Sequence, residues 1–385
     1  MASPRLTLLL LSLPGVAAVA ALLFTWLQVG QAGKELRIAE EGQITTRFNT
    51  AIGNLASSSM DVRLGGVYAL QRIMKDSAED QPPVVSVLTA YVRRHAHVPA
   101  SGADPSPDVQ AAMNVLVRRR PDRDGGVVVD LSETALPHWR PTYVAKARSI
   151  HLPEAVMTRS DLSGADLAFA DMPRATLEAA HLTGTKFGGA NLSGTSFRDA
   201  DLSGADLTRT DLQDTVFTGA TLRGATFCSG GGACTGNLTD TDFTRADLTK
   251  AQLDQLDLRK AKFCDREMLI LSPADNGKPP SPTPSEETSP LACAVLRGAV
   301  FVFAHLSAVD LRGADMRGAF LSWADLTGAD LRHTNLAGAN FTGADLTRAD
   351  LRQANLVGAD LTSAKLTGAK LTGAVLTGTK GLPSR

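Results

Sequence analysis

At 385 residues, with 43% hydrophobic and 21% charged residues, the chain suffices for one large or two medium domains and lies within the globular range. A formal net charge of −1 supplies no global field for nucleic acid or an acidic membrane surface. Only the low aromatic content (5%) and the weight of Gly, Ala, Thr and Asp depart from an ordinary composition.

After a short tail over residues 1–5, the stretch Leu6 to Val29, LTLLLLSLPGVAAVAALLFTWLQV, runs for 24 residues without a charge. At ~1.5 Å rise per residue such a helix spans a hydrocarbon core of ~30 Å. Pro14 and Gly15 are tolerable in a membrane helix, and Trp26 suits the interface. The sequence therefore predicts a single-pass transmembrane helix over residues 6–29, with the lipid bilayer as a partner and the cell membrane as the location. The competing reading is a cleaved signal peptide, with Arg5 as its basic end and Ala18-Val19-Ala20 as the cleavage site, although that site falls inside the apolar run. Orientation stays open. Lys34, Arg37 and Arg47 against Arg5 favour a cytoplasmic body by the positive-inside rule, whereas the cysteines below favour the other side.

From residue 34 to about 120 the apolar period is helical, marking a small α-helical domain. Ile44, Phe48, Ile52 and Leu55 outline one helix, and Leu64, Val67, Leu70, Ile73 and Met74 a second. Pro82-Pro83 opens a third with Val84, Val87, Leu88 and Tyr91, and Ser106-Pro107-Asp108 reads as an N-cap with Pro in the first turn of a fourth over Val109–Val117.

Beyond this the period changes to five. From Leu152 a large apolar residue stands at every fifth position, through Leu162, Leu167, Phe187, Leu202 and on to Phe227. The phase slips by one across an insertion at 228–237 (CSGGGACTGN) and resumes at Leu238. It breaks again over a Pro-rich loop at 269–290 containing KPPSPTPSEETSP, then restarts at Leu291 and runs through Leu311, Leu326, Phe341 and Leu356 to Leu376. Neither a helix nor a strand has this period. Two residues before each centre is a small residue, as at Ala165, Ala205, Ala314, Ala344 and Ala359. One before is often Asp or Asn, as at Asp166, Asp206, Asn191, Asp345 and Asn355.

The resulting pentad A-(D/N)-L-x-x, written out in ADLSGADLT and ADLTRADLR, resembles that of the pentapeptide-repeat family over more than half of the chain. The resemblance implies a mainly β fold, a right-handed quadrilateral β-helix of four pentads per coil, here preceded by the transmembrane helix and the helical domain. The large centre and the small residue two before it would point inward. About ten coils at ~4.8 Å would make a rod of roughly 45–50 Å whose ends need caps. The stretches EEGQITTRFNTAIGNL, MDVRLGGVYALQRI and PDVQAAMNVL are similar to the segment preceding the solenoid in many actinobacterial membrane proteins of that family. Asp130-Leu131 and Ala135-Leu136 read as degenerate pentads, so the solenoid is expected over 127–268 and 291–380, with Trp139 and Tyr143 as lids at its start. Lys365, Lys370 and Lys380 read as charged protection of its other edge.

No P-loop, nucleophile elbow, HExxH or dinucleotide fingerprint occurs. His151 and His181 lie one and a half coils apart, on opposite sides of a square, so no metal or cofactor site is predicted. His95 and His97, and the arginines at 93, 94 and 118–120, read as surface charge. Cys228 and Cys234 bracket the insertion and Cys264 and Cys293 the Pro-rich loop, where a disulfide would close the neck of each excursion. Four reduced thiols in a cytoplasmic protein is the other reading. A four-cysteine zinc site lacks CxxC spacing.

These features predict a non-enzymatic, membrane-anchored scaffold presenting the solenoid to a protein partner, with nucleic acid not expected. The resemblance also brings an alternative: some family members mimic duplex DNA and protect type II topoisomerases from quinolones. Such mimicry wants a strongly acidic rod, whereas here Arg is interleaved with Asp. A sensor or enzyme role for the helical domain is a further alternative.

Overall fold

The computed structural model describes residues 42–96, 104–142, 150–228, 236–264 and 293–382, together with Cys234 and isolated positions between Phe24 and Lys34. The candidate membrane span at 6–29 thus lies outside the described residues except for a few positions, of which Phe24, Trp26 and Val29 are exposed. Among the described residues no helix is long and apolar enough to cross a membrane. The chain divides into two compact units, Met1–Asp80 and Gln81–Arg385.

The first unit is a helical hairpin of α1 (42–55) and α2 (Met60–Asp76). It closes at Gly66, where an added Cβ would lie 2.9 Å from the Ala51 carbonyl oxygen. That approach demands small residues, so Ala51 takes the buried position while Ile52, expected in the core, is 38% exposed. Val67, Leu70 and Ile73 are buried as the period predicts, and Arg47 pairs with Asp76 at 3.2 Å.

In the second unit α3 (Gln81–His95) packs against α4 (Pro107–Val117). Residues 34–120, read as one helical segment, are therefore shared between the two units. Ser106 is the N-cap of α4 and Pro107 follows it. Fully buried Asp108 accepts hydrogen bonds from Tyr91 Oη (2.5 Å) and Ser106 Oγ (2.6 Å). This helix pair covers the first coil of the solenoid. Ala135 N–H donates to Ala96 O at 2.6 Å and His151 N–H to Val117 O at 2.8 Å. Arg119, read from the sequence as solvated, is buried instead. Its Nε meets Asp124 at 2.8 Å and its Nη1 donates to His151 O at 2.7 Å, so the charge is consumed in joining cap to coil. Burial pulls its pKa down against the pull of Asp124. Trp139 is wholly buried beneath the cap, whereas Tyr143 lies outside the described residues.

From Asp130 to Lys380 the backbone forms a square solenoid. Each side contributes one bridged residue, too short for a strand, paired in parallel with its counterpart one coil on, which is residue i+20 wherever the coil is uninterrupted. A centre donates forward and a bridged residue donates back: Leu162 N–H to His181 O and His181 N–H to Ser160 O, both at 2.8 Å. The corner closes within the pentad, as in Ala165 N–H to Leu162 O at 2.9 Å. The column from Ala135 through Asp161, His181, Asp247 and Val295 to Val375 makes ten steps, about 48 Å at the usual strand spacing. Both interruptions leave this ladder intact: Thr226 pairs with Gln252 and Asp247 with Val295.

The centres of the sequence pattern in the described coils up to Leu361, including Leu162, Leu167, Phe187, Leu202, Phe227, Leu311, Leu326, Phe341 and Leu356, are buried, and Leu366, Leu371 and Leu376 in the last coil are half-buried. Leu291 lies outside the described residues. Phe197, Phe217, Phe243 and Phe263 stack face to face on one side with centroids 5.1, 5.2 and 5.4 Å apart. The small sites hold mostly Ala, or a Thr whose hydroxyl finds a carbonyl, as Thr185 Oγ1 does with Leu162 O at 2.8 Å, with buried Val309 and Leu256 as larger exceptions. Ala344 is wholly buried beside the centre Leu346, so Ala344→Leu has little room for its extra carbons. Overpacking of this kind costs about 1–3 kcal/mol. The denaturant midpoint should fall with an unchanged slope, and an unaltered midpoint would refute the steric account.

Candidate interaction surface

The outward side chains differ from one side of the square to the next. Taking the coil Asp310–Asp325, each side can be named by its bridged residue: the Asp310, Asp315, Phe320 and Asp325 sides. On each, the bridged Asp or Asn first serves its own corner. Its Oδ1 accepts the backbone N–H two residues on, as from Thr327 to Asp325 (3.0 Å) and from Thr347 to Asp345 (3.0 Å).

The remaining charge is paired along the rod. On the Asp310 side Arg312 meets Asp310 at 2.8 Å and Asp330 at 3.4 Å. Arg332 meets Asp330 at 2.6 Å and Asp350 at 3.9 Å, and Arg352 meets Asp350 at 2.7 Å. This is one continuous ladder of alternating sign. On the Asp315 side, Arg297 from the preceding coil and Arg317 from the same pentad hold Asp315 at 2.5 and 2.8 Å. The Asp325 side has Arg259 on Asp257 at 2.5 Å and Lys365 on Asp345 at 3.1 Å.

The Phe320 side is different. Over the four coils from Gln252 to Gly343 its outward residues are Gln252, Gln255, Val300, Val302, Phe303, Phe320, Ser322, Trp323, Asn340 and Thr342, with Asp254 the one ionisable group. Asp254 accepts from Val302 N–H at 3.2 Å, and burial raises its pKa against that bond. Phe303, Phe320 and Trp323 are 54%, 48% and 57% exposed. Phe303 and Trp323 occupy left-handed corner positions (φ 59° each), one coil apart, with rings nearly parallel (14°) and centroids 6.5 Å apart. The Trp323 ring lies flat on the next corner, where a Cβ on Gly343 would be 2.6 Å from it. Here glycine is required twice, for its φ of +71° and for the ring above it.

The family model for pentapeptide repeats matches residues 145–229, 236–263 and 291–378, which is more than half of the chain. The chain belongs to the pentapeptide-repeat family. Among solved structures, HetL from the cyanobacterium Nostoc, a pentapeptide repeat protein involved in regulating heterocyst differentiation, is 27% identical over 65% of this chain and 88% of its own, with a TM-score of 0.26. A pentapeptide repeat protein from the cyanobacterium Cyanothece is 29% identical over 35% of this chain and 86% of its own, also with a TM-score of 0.26. QnrB1, a plasmid-mediated fluoroquinolone resistance protein, is 18% identical over 59% of this chain and 83% of its own, with a TM-score of 0.23. No curated protein matches. Membership of the family implies a right-handed winding for the β-helix.

In this pentapeptide-repeat chain the structure joins Cys228 to Cys234 (Cα–Cα 5.4 Å) and Cys264 to Cys293 (Cα–Cα 4.1 Å). Each pair sits at a corner from which an excursion leaves. His151 and His181 fall on opposite sides, and His151 Nδ1 faces Asp171 at 3.7 Å. His95 stacks on Tyr91, with centroids 4.1 Å apart, and His97 lies outside the described residues. Among the described residues no group of three or more His, Cys, Asp or Glu could hold a metal ion. The Phe320 side escapes sequence reasoning because its members are 48 residues apart across the second excursion, as Gln252 to Val300. The readable signal was an aromatic residue two after a centre with glycine 20 later: Trp323 before Gly343, and Phe169 before Gly189.

The ladders also set an acid limit. For Asp315 burial acts upward, but hydrogen bonds and charge from Arg317 and Arg297 outweigh it and hold the carboxyl below its ordinary range. For Asp350 the Arg352 hydrogen bond is the largest influence and lowers it. A folded pKa below the unfolded one means that the stabilisation is complete above the unfolded value, about 3.9, and is lost as pH falls through the folded one. The melting temperature should hold between about pH 7 and 5 and drop below about pH 4. In Asp315→Asn/Asp350→Asn that drop should be shallower. An equally steep drop in the double variant would show that these pairs do not drive it.

Proposed function

We propose that this protein is a non-enzymatic, membrane-anchored interaction scaffold that presents its pentapeptide-repeat solenoid to a protein partner through the Phe320 side. One observation carries the reading. Over the four coils from Gln252 to Gly343 the other sides carry Asp–Arg and Asp–Lys pairs, whereas the Phe320 side exposes three large aromatic rings and a single ionisable group, Asp254. A patch of this kind on a monomer marks an interaction site. Membership of a family whose proteins are generally structural and interaction proteins agrees with it.

The uncharged run Leu6–Val29 supports the anchor by length and composition. Two cysteine pairs closing the necks of excursions support a body on the extracytoplasmic side, since disulfides persist in oxidising compartments. The DNA-mimicking alternative finds less support. A mimic needs unanswered negative charge at phosphate-like spacing, and the Asp ladder here is matched by Arg312, Arg332 and Arg352.

Two experiments test this. A photo-crosslinking phenylalanine placed at Phe320 should give a discrete protein adduct in intact cells, and one placed at Arg352 on the Asp310 side should not. Absence of an adduct at 320, or equal adducts at both, removes the assigned surface. For the location, a membrane-impermeant thiol reagent should label intact cells only after an impermeant reductant is added. Labelling that requires lysis would put the body in the cytoplasm.

A further inference from the structure

We infer that the Phe320 side is built to take a proline-rich segment of a partner protein in the polyproline II conformation, lying along the rod axis. The inference rests on the scaffold reading and specifies its partner. Phe303, Phe320 and Trp323 together expose on the order of 300 Å² of aromatic surface, taking about 150–250 Å² for a whole ring side chain. A stable dimer of folded proteins needs about 800 Å² per partner, so the patch suits a peptide rather than a second copy.

Charge narrows the class. With Asp254 tucked against Val302 N–H and no Lys or Arg among its outward residues over these four coils, the side offers nothing to a polyanion, an anionic bilayer or a basic helix. The complement of an uncharged aromatic face is an uncharged apolar strand. Proline supplies apolar rings and a carbonyl but no N–H, so such a strand asks its receptor for flat rings and hydrogen-bond donors. The rings are the Phe303–Trp323 shingle. Donors stand beside them on Gln252, Gln255, Ser322 and Asn340, whose Oδ1 is already taken by Thr342 N–H at 2.9 Å so that its NH2 is what it offers.

Geometry agrees. A polyproline II helix advances about 3.1 Å per residue with three residues per turn, or about 9.3 Å per turn. Two solenoid coils rise about 9.6 Å. A strand laid along the corner therefore keeps register with the coils, and residues three apart meet equivalent positions. The other three sides share this rise but carry ion pairs in place of rings.

The test is calorimetric titration of the full chain, in detergent micelles, with decaproline. Saturable binding with a sub-millimolar dissociation constant is expected. Trp323→Ala should weaken it tenfold or more, Trp323→Phe should keep it within about threefold, and Arg352→Ala should leave it unchanged. Trp323 is more than half exposed, and equal melting temperatures will verify that the variants fold. Absence of saturation, or equal affinity in Trp323→Ala, overturns the inference. So does binding of cellohexaose in place of decaproline, which would assign the face to a neutral glycan. Decaproline binding that appears only after excision of residues 265–292 would assign it to the chain's own proline-rich stretch, and likewise overturns it. A crosslink at position 320 that persists while decaproline fails would sink this inference and leave the scaffold reading standing.

Discussion

Most sides of the solenoid hold one large side chain and one small one inside, and the hydrogen bonds between coils hold that width nearly fixed. Within the rod the centre N–H and the bridged N–H of a pentad are committed to the coils above and below, as Leu311 is to Asp330 and Asp330 to Val309, both at 2.9 Å. The backbone therefore has little freedom to swell, and Ala or Thr fills most small sites, with Val309 and Leu256 the larger exceptions. Stability is the sum of such neighbour contacts, which is why an excursion at a corner costs the rod little as long as the ladder closes beyond it. Both excursions here do close, across Thr226–Gln252 and Asp247–Val295.

The same fixed width disposes of the charge. Bridged positions recur every coil, so acidic residues fall about one strand spacing apart and would repel one another if left unanswered. Asp310, Asp330 and Asp350 are answered by guanidinium groups reaching both within and between coils. Exposed pairs of this kind contribute little individually, but their effect on the surface is large, because paired charge projects no field toward a partner. Where the charge is paired in this way the rod is electrostatically quiet, and recognition is left to the side with rings.

The core was legible in the sequence because period and phase alone determine it. Leu162, Phe227 and Leu356 are inward for the same reason that each stands five residues from its neighbour. The necks of the excursions were legible too, since a phase slip flanked by Cys228 and Cys234 marks where chain leaves the ladder. What the sequence could not show were contacts between elements with no shared period. Arg119 looks like any member of a surface run, and only the closeness of Asp124 and His151 O reveals it as a buried joint. Ile52 lost its place in the hairpin to Ala51 because the approach at Gly66 left no room for more. The division of the helices after Asp80 is likewise a matter of packing rather than of pattern.

The corner aromatics cannot be explained by the fold alone. Most corners of the C-terminal half, such as Gly328, Gly338 and Gly358, use glycine at a positive φ, where no Cβ is strained. Trp323 and Phe303 adopt the same φ at a cost of order 1 kcal/mol each, and then leave apolar area in water. Covering the next glycine does not require a ring, because the polar side chains of Arg348 and Gln353 lie over Gly368 and Gly373 in the same way. A polar residue would thus have served the corner at Gly343 without the exposed surface. The rings are costly to the isolated rod and are compensated only if something covers them, which ties the strain at this corner to the surface that recognises a partner.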